Sequence, residues 1–283
     1  MRKAYLLFII ALAPLLARGQ ESSLLYKLTG PGLAEPSYIF GTIHMMCSED
    51  YSMPASVEKA AASVDRTVLE LDMDDPSMMM KVQQLSMNPG FENISDKFSK
   101  AELDSLNAFL KKGYGANMTQ LGVIKPFVLL SMLLPKLLDC KEIIAFENEF
   151  VKMAKANEIP VEGLETVEFQ MSIFDSIPEE DQIKAINELV ADKEKARNDF
   201  NKLLKAYKEK DVDKLAKLVA DDPQYADYAD KLLYERNKNW VPDIVDMAKE
   251  KPSLFAVGSG HLGGDKGLLH LLEQEGYTLE PVF

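Results

Sequence analysis

The sequence predicts an α/β (α+β) fold whose central sheet is built from two similar halves, one at each end of the chain. The first observation is a repeated Gly-[Ser/Thr]-x-His frame, "GTIH" at 41–44 and "GSGH" at 258–261, each ending an apolar run. The second is that a helix-forming segment and then a β-rich segment follow each frame, at 37–72 and at 253–283. The third is the charged, amphipathic pattern from about 100 to 250, which predicts a largely helical insertion covering the cleft.

The first half carries its candidate residues at the ends of two strands. Residues 24–28 and 37–40 are predicted strands joined by a Gly/Pro-rich turn, so a hairpin delivers His44 at its exit. A helix-forming segment follows, and then the strand "RTVLELD". Because side chains alternate between the two faces of a strand, Glu70 and Asp72 are expected side by side on one face.

The rest of the chain is predicted as helices with one strand among them, followed by the second half. "SKAELDSLNAFLKKG" begins with the capping-box pair Ser99 and Glu102 and is predicted to stop at Gly113. "FENEFVKMAKANEIP" is a further helix, "PVEGLET" contains a short strand, and 179–250 forms several antiparallel helices. "SLFAVGSGH" is a buried strand that leads to His261, and both histidines should meet beyond the carboxyl ends of the strands.

Residues 1–19 have the pattern of a secretory signal peptide. Arg2 and Lys3 precede an apolar run that is shorter than the ~20 residues of a membrane span, and Ala17 and Gly19 supply small residues for cleavage. The sequence therefore predicts one domain over 20–283, exported to the periplasm or the extracellular space, without a stable membrane anchor in its mature form.

The composition excludes some classes of partner. The chain has 283 residues, is 47% hydrophobic and carries a formal net charge of −13, with no stripe of basic residues. A nucleic-acid-binding protein needs such a positive surface, so nucleic acid is not an expected partner. The oligomeric state stays open at this point.

The two cysteines, Cys47 and Cys140, are far apart in the sequence. In an oxidising compartment they are expected to form one disulfide, the alternative being two buried thiols that pack as small hydrophobic residues. No C-x-x-C spacing is present, so metal binding by this pair is disfavoured.

The repeated frame indicates a metal site. Two imidazoles and one carboxylate from different strands can hold a first-row divalent ion and leave positions open for water and substrate. His44, Glu70 and His261 are the predicted ligands, and Asp72 is either a further ligand or an orienting group. The alternative for each histidine is a structural hydrogen-bonding role. His270, within "GLLHLL", is read as an ordinary helix residue, and Met78–Met80 as adaptable packing or a mobile lid.

Five segments together resemble the TraB/GumN family, which includes the Tiki metalloproteases. They are "YIFGTIHMM", "VLELDMDDP", "VEGLETVEFQM", "LLYERNKNW" and "FAVGSGHLGGDKGLLHLLEQEGYTLEPV", in this order over nearly the whole predicted mature chain. The resemblance implies a fold shared with erythromycin esterase and with the ChaN-type haem-binding proteins. It implies these catalytic positions: His44, Glu70 and His261, which are also the implied metal ligands, and Glu165, Arg236 and Asn237.

Three activities are compatible with these residues and with the resemblance. The expected one is an exported metal-dependent hydrolase, a protease that uses Zn²⁺, Mn²⁺ or Co²⁺ to cleave a peptide or protein substrate. The second is a metal-independent, esterase-like hydrolase with His44 as general base, and the third a non-catalytic peptide- or haem-binding protein. Neither an H-E-x-x-H helix nor a Gly-x-Ser-x-Gly elbow is present, so zincin and serine-hydrolase templates do not apply. Arg236 and Asn237 are expected to clamp a substrate carboxylate or to stabilise an oxyanion.

Overall fold

A computed structural model describes residues 22–138 and 140–283, and the predicted signal peptide lies outside the described residues. Six strands form the main sheet, in the order β6-β4-β7-β2-β1-β8. Their bounds are β1 (Leu25–Thr29), β2 (Ser37–Thr42), β4 (Arg66–Leu71), β6 (Val161–Glu165), β7 (Ser253–Gly258) and β8 (Thr278–Val282). A separate two-stranded ribbon pairs β3 (Met46–Cys47) with β5 (Ile143–Ile144).

The sheet is mixed, with a parallel centre. Strands β2, β7, β4 and β6 run parallel, whereas β1 is antiparallel to both β2 and β8. Every residue of β7 is buried, which explains its continuous apolar sequence "SLFAVG", because a central parallel strand is covered on both faces. The predicted hairpin of β1 and β2 is confirmed.

The two halves of the predicted sheet are interleaved and do not pack as two separate units. Strand β7 of the second half pairs with β2 and with β4, so it lies between two strands of the first half. The order strand, Gly-x-x-His, helix, strand does occur at both ends of the chain, but β8 lies at the far edge of the sheet beside β1. Interleaving places both frames on neighbouring strands, with Thr42 paired to Gly258.

Twelve α-helices lie within residues 22–138 and 140–283. Their bounds are α1 (Ala55–Ala61), α2 (Met78–Leu85), α3 (Lys100–Tyr114), α4 (Met118–Leu121), α5 (Pro126–Leu133), α6 (Phe146–Ala156), α7 (Val167–Asp175), α8 (Glu179–Ala191), α9 (Lys193–Lys208), α10 (Val212–Ala220), α11 (Glu235–Glu250) and α12 (Leu268–Gln274). The middle of the chain is therefore largely helical, although it also supplies β5 and the edge strand β6.

Helix α3 tests the predicted helix ends. The capping box of Ser99 and Glu102 is present, as expected. The helix does not stop at Gly113: it continues to Tyr114, and Gly115 takes the left-handed conformation with φ 68°. Gly113 and Gly115 lie two residues apart, and either of them could end the helix by the local pattern alone.

The helical middle is divided between two apolar cores. Helices α9 to α12 and α6 contribute to the core that covers the sheet, which includes Phe40, Phe255 and Trp240. A second core lies among the helices and includes Leu106 of α3 and Leu129 of α5. No helix within 22–138 or 140–283 combines the length and the apolar character needed to cross a bilayer.

The predicted disulfide is confirmed. Cys47 and Cys140 are bonded, with their Cα atoms 5.6 Å apart. The bond joins β3, which begins two residues after His44, to the segment that leads into β5 and α6. It therefore fastens the exit of the first Gly-x-x-His frame to the helical middle.

Candidate active site

Three predicted residues meet around Gly258, the last residue of β7. A Cβ atom placed on Gly258 would lie 3.2 Å from Oε1 of Glu70, 3.5 Å from Cδ2 of His261 and 3.5 Å from Nε2 of His44. Only a residue without a side chain leaves this space open. The Gly258 amide also donates a hydrogen bond of 2.8 Å to Oε1 of Glu70, so the same glycine fixes the carboxylate.

His261 is buried, and its tautomer is set by Asn237. Its Nδ1 lies 2.6 Å from Oδ1 of Asn237, while Nδ2 of Asn237 donates to the backbone oxygens of His261 and Lys266 at 3.2 and 2.9 Å. The amide nitrogen is thus used as a donor, and its oxygen accepts the proton of Nδ1. The lone pair of His261 therefore lies on Nε2.

Arg236 links the two carboxylates and His261. Its Nε donates to Glu165 at 2.9 Å, and its Nη2 donates to Glu165 at 2.8 Å and to Glu70 at 2.7 Å. Its Nη1 donates to the backbone oxygen of Leu232 at 3.1 Å and lies 3.3 Å from Nε2 of His261. These contacts engage all five N–H groups of the guanidinium.

The start of helix α11 places Arg236 and Asn237 at the site. A π-helical segment, Asp230–Tyr234, leads directly into α11, and both residues of the first turn are buried. Trp240, one turn further along, donates from Nε1 to Glu165 at 2.9 Å, and its ring lies 4.5 Å from that of His261. The sequence-predicted Glu165, Arg236 and Asn237 are therefore brought together with Glu70 and His261.

The charges in this cluster shift the pKa values of its members. Burial raises the pKa of Glu70, but the positive charge of Arg236, followed by smaller effects of the histidines, outweighs burial and brings it to about 2. Burial lowers the pKa of His261 to about 3, because the opposing charge of Glu70 is offset by Arg236. Glu70 is thus ionised and His261 neutral at physiological pH.

His44 stands at the open side of the site and contacts an acid that sequence reasoning missed. Its side chain is 69% exposed, and its Nδ1 lies 2.9 Å from Oε1 of Glu147. The hydroxyl of Thr42 donates to the same oxygen at 2.8 Å. Desolvation disfavours the charged ring, but the hydrogen bond and charge of Glu147 outweigh it and raise the pKa of His44 to about 9.

A sequence signal for Glu147 exists, although it is weak. The residue lies in the first turn of α6, where an acid is favourable in any helix, and it is 103 residues from His44. The expected disulfide was the one indication that the two segments are close.

Three other candidates lie outside the cluster of side chains around Gly258. Oδ1 of Asp72 accepts the backbone N–H groups of Asp74 and Asp75, both at 3.1 Å, so this carboxylate shapes the turn after β4. His270 is in α12 and pairs with Gln274 at 2.9 Å, as expected of an ordinary helix residue. Met79 and Met80 are exposed on α2, which packs against α7.

The three side chains are donors of the kind that first-row divalent ions bind, but they are not all directed at one point, because His261 presents Cδ2 to the space above Gly258 while its Nε2 faces Arg236. Both histidines have Nδ1 occupied, by Glu147 and by Asn237, and both lie with Glu70 around the space above Gly258, as ligands with orienting partners do. The distances between these donors are not those of a formed metal site. No group of three or more His, Cys, Asp or Glu residues within the described part of the chain is arranged to hold an ion, and Arg236 contacts both Glu70 and His261. Binding therefore requires His261 to exchange its contact with Arg236 for the ion, and His44, with its pKa of about 9, to release the proton of Nε2.

The neutral state of His261 predicts how the stability of metal-free protein depends on pH. Between pH 6 and pH 5 the unfolded chain binds a proton at this residue, whereas the folded chain, with its pKa of about 3, does not. Stability is thus lost as pH falls, by about 1 kcal/mol over this unit. His44, with its pKa of about 9, is protonated in the folded state throughout this range and adds no loss as pH falls. Urea unfolding in the presence of a chelator measures the slope, and the His261→Gln variant should show a flatter one; equal slopes would contradict the assignment.

Comparisons with known proteins show the family to which the chain belongs. The family model described as TraB/PrgY/gumN family matches residues 24–281. The chain is similar to Metalloprotease TIKI2 of Danio rerio, with 21% identity over 315 residues that include 92% of this chain. It spans 61% of the length of that relative. No solved structure matches the chain. The match over almost all of the described residues shows that the chain belongs to the TraB/PrgY/gumN family.

Proposed function

We propose that this protein is an exported metal-dependent hydrolase that cleaves a peptide bond in a peptide or protein substrate. The observation that carries the proposal is the meeting of His44, Glu70 and His261 around Gly258, a residue that has no side chain to occupy the space they share. The similarity to a protein named as a metalloprotease supports the same reaction class. Export is supported by the Cys47–Cys140 disulfide, since such bonds persist in oxidising compartments.

His44, Glu70 and His261 would hold the ion. They differ in how firmly their neighbours hold each side chain. Glu70 is fixed by the Gly258 amide and by Arg236, and His261 is fixed by Asn237. His44 is the exposed member, so it lies where a substrate enters. A divalent ion bound there would supply Lewis acidity toward a carbonyl group and toward water.

The contacts of Arg236 and Asn237 indicate that these residues position other side chains, and they argue against the predicted clamp on a substrate. All five N–H groups of Arg236 are directed at protein acceptors, and the amide of Asn237 is used by His261 and by backbone oxygens. We infer that these two residues orient Glu70 and His261, and that Glu165 keeps the guanidinium in place.

The metal-independent hydrolase is the second candidate, and one observation favours it. Nε2 of His44 faces the cleft while Nδ1 is held by Glu147, an arrangement in which an imidazole can transfer a proton to or from a substrate. With the pKa of His44 at about 9, the ring carries its proton at neutral pH and must release it before acting as a base. Base catalysis of this kind would therefore increase toward pH 9.

A peptide-cleavage screen after chelation tests the proposal. Protein comprising residues 20–283 is treated exhaustively with a chelator, reloaded separately with Zn²⁺, Mn²⁺ or Co²⁺, and incubated with a peptide library that is read by mass spectrometry. Cleavage that is lost on chelation and restored by one of the ions is the expected result. Cleavage that is unaffected by chelation would favour the metal-independent mechanism, and no cleavage with any ion would count against a peptidase.

A further inference from the structure

We propose that Glu147 is a positioning residue for His44, and that the ribbon of β3 and β5 with the Cys47–Cys140 disulfide fixes Glu147 in place. This role for Glu147 extends the proposed function. It rests on the proposed function only in the experiments that measure hydrolysis or metal binding. Glu147 is assigned no contact with a substrate; it acts through the imidazole of His44.

The contact geometry shows how one carboxylate can orient an exposed ring. A histidine that is 69% exposed would otherwise populate several rotamers, because few packing contacts restrict it. The bond of 2.9 Å from Nδ1 to Oε1 of Glu147 selects one of them, and in that rotamer Nε2 is directed at the space above Gly258. Glu147 is itself restrained, since its side chain is only 14% exposed.

Thr42 connects this pair to the sheet. Its hydroxyl donates to the same oxygen of Glu147 at 2.8 Å, and its backbone is paired in register with Gly258. Thr42, the hydroxyl residue of the first Gly-[Ser/Thr]-x-His frame, therefore binds the carboxylate of Glu147 that orients His44.

Three further connections place Glu147 beside His44. Met46 pairs with Ile144, so the chain just after His44 is in register with the chain just before Glu147. The Cys47–Cys140 disulfide closes the same ribbon covalently. Phe146, the neighbour of Glu147, is buried and packs 5.7 Å from the ring of Phe40 in β2. The position of the carboxylate is therefore determined from both sides.

The two histidines consequently have different partners. His261 donates to a neutral amide, whereas His44 donates to a carboxylate, which is the stronger acceptor. A carboxylate that binds Nδ1 increases the donor strength of Nε2, so loss of Glu147 should weaken His44 as a ligand as well as release its orientation.

The test compares Glu147→Ala with Glu149→Ala. Glu149 lies in the same first turn of α6 but pairs with Lys152 at the surface, so its variant controls for charge and helix effects. We expect Glu147→Ala to lower zinc affinity of the chelated protein about 10- to 100-fold, and to reduce kcat with little change in KM on any substrate found. Glu149→Ala should match the wild type in both measurements.

Nitrogen NMR of the histidine rings provides a readout that does not depend on activity or metal. In chelated, ¹⁵N-histidine-labelled protein, the His44 signals are identified by their absence from a His44→Asn variant. Glu147→Ala should remove the hydrogen-bonded Nδ1–H signature of His44 and leave that of His261 in place. The isosteric Glu147→Gln, expected to give an intermediate result, keeps the test informative if the alanine variant does not fold.

The role of the ribbon is tested by a Cys47→Ser, Cys140→Ser variant and its combination with Glu147→Gln. If the disulfide acts by placing Glu147, the two changes together should lower zinc affinity by less than the product of their separate effects. Wild-type His44 ring signals and undiminished zinc affinity in a folded Glu147→Ala protein would overturn the proposal. Independent, multiplicative effects would overturn the part assigned to the disulfide. If wild-type protein neither binds zinc nor cleaves peptides, the proposed function fails while the ring signals still decide this inference.

Discussion

Hydrolysis by the His261→Ala variant is expected to fall by on the order of 10³-fold or more, because the residue is both a proposed ligand and the acceptor at the centre of the buried cluster. His261 connects Asn237 to Arg236 through its two ring nitrogens, so no neighbouring side chain can replace it. The measurement is kcat/KM on the best substrate from the peptide screen, at matched metal loading.

His270→Ala is the matched control for this variant. The residue lies nine positions further along the chain and contacts Gln274 on α12, away from the side chains around Gly258. Its alanine variant should retain wild-type activity. If His261→Ala remained as active as His270→Ala, the assignment of the site would be wrong.

The Glu165→Ala variant is expected to lose about 3–5 kcal/mol of the free energy of unfolding, because buried N–H donors lose their acceptor although Glu70 still balances the charge of Arg236. The side chains of Glu165 and Arg236 are 3% and 8% exposed, and two nitrogens of the guanidinium donate to this carboxylate. The Nε1 proton of Trp240 loses its acceptor as well. Urea or thermal unfolding of the chelated protein measures the loss.

Two variants show whether burial causes that loss. Asp199→Ala removes an acid that pairs with Lys195 and Lys202 on the exposed face of α9, and should cost less than about 1 kcal/mol. Glu165→Gln keeps a hydrogen-bond acceptor for the guanidinium and should lie between the two. A loss for Glu165→Ala no larger than that for Asp199→Ala would mean that Arg236 is held by other contacts.

Local patterns in the sequence were sufficient to predict several members of the candidate site. The repeated frame indicated His44 and His261, and strand alternation indicated Glu70, which lies near both histidines at Gly258. The same alternation included Asp72, which is one residue beyond the end of β4, where the chain turns and the carboxylate binds backbone amides instead. Alternation holds only while the strand continues.

The residues that local patterns did not reveal act over long sequence separations. Glu165, Arg236 and Asn237 were indicated by family resemblance, because a carboxylate, a guanidinium and an amide on separate segments form no periodic pattern. Glu147 was missed because it resembles any acid at the start of a helix. The interleaving of the halves depends on the pairing of β2 with β7, more than two hundred residues apart, which no local propensity specifies.

Zinc titration of chelated protein by calorimetry tests the central claim most directly, since it asks whether His44 and His261 form one metal centre with Glu70. Wild-type protein should bind a single equivalent, and the His44→Ala, His261→Ala double variant, checked for folding by circular dichroism, should bind at least about 100-fold more weakly. Undiminished binding by the folded double variant would contradict the account.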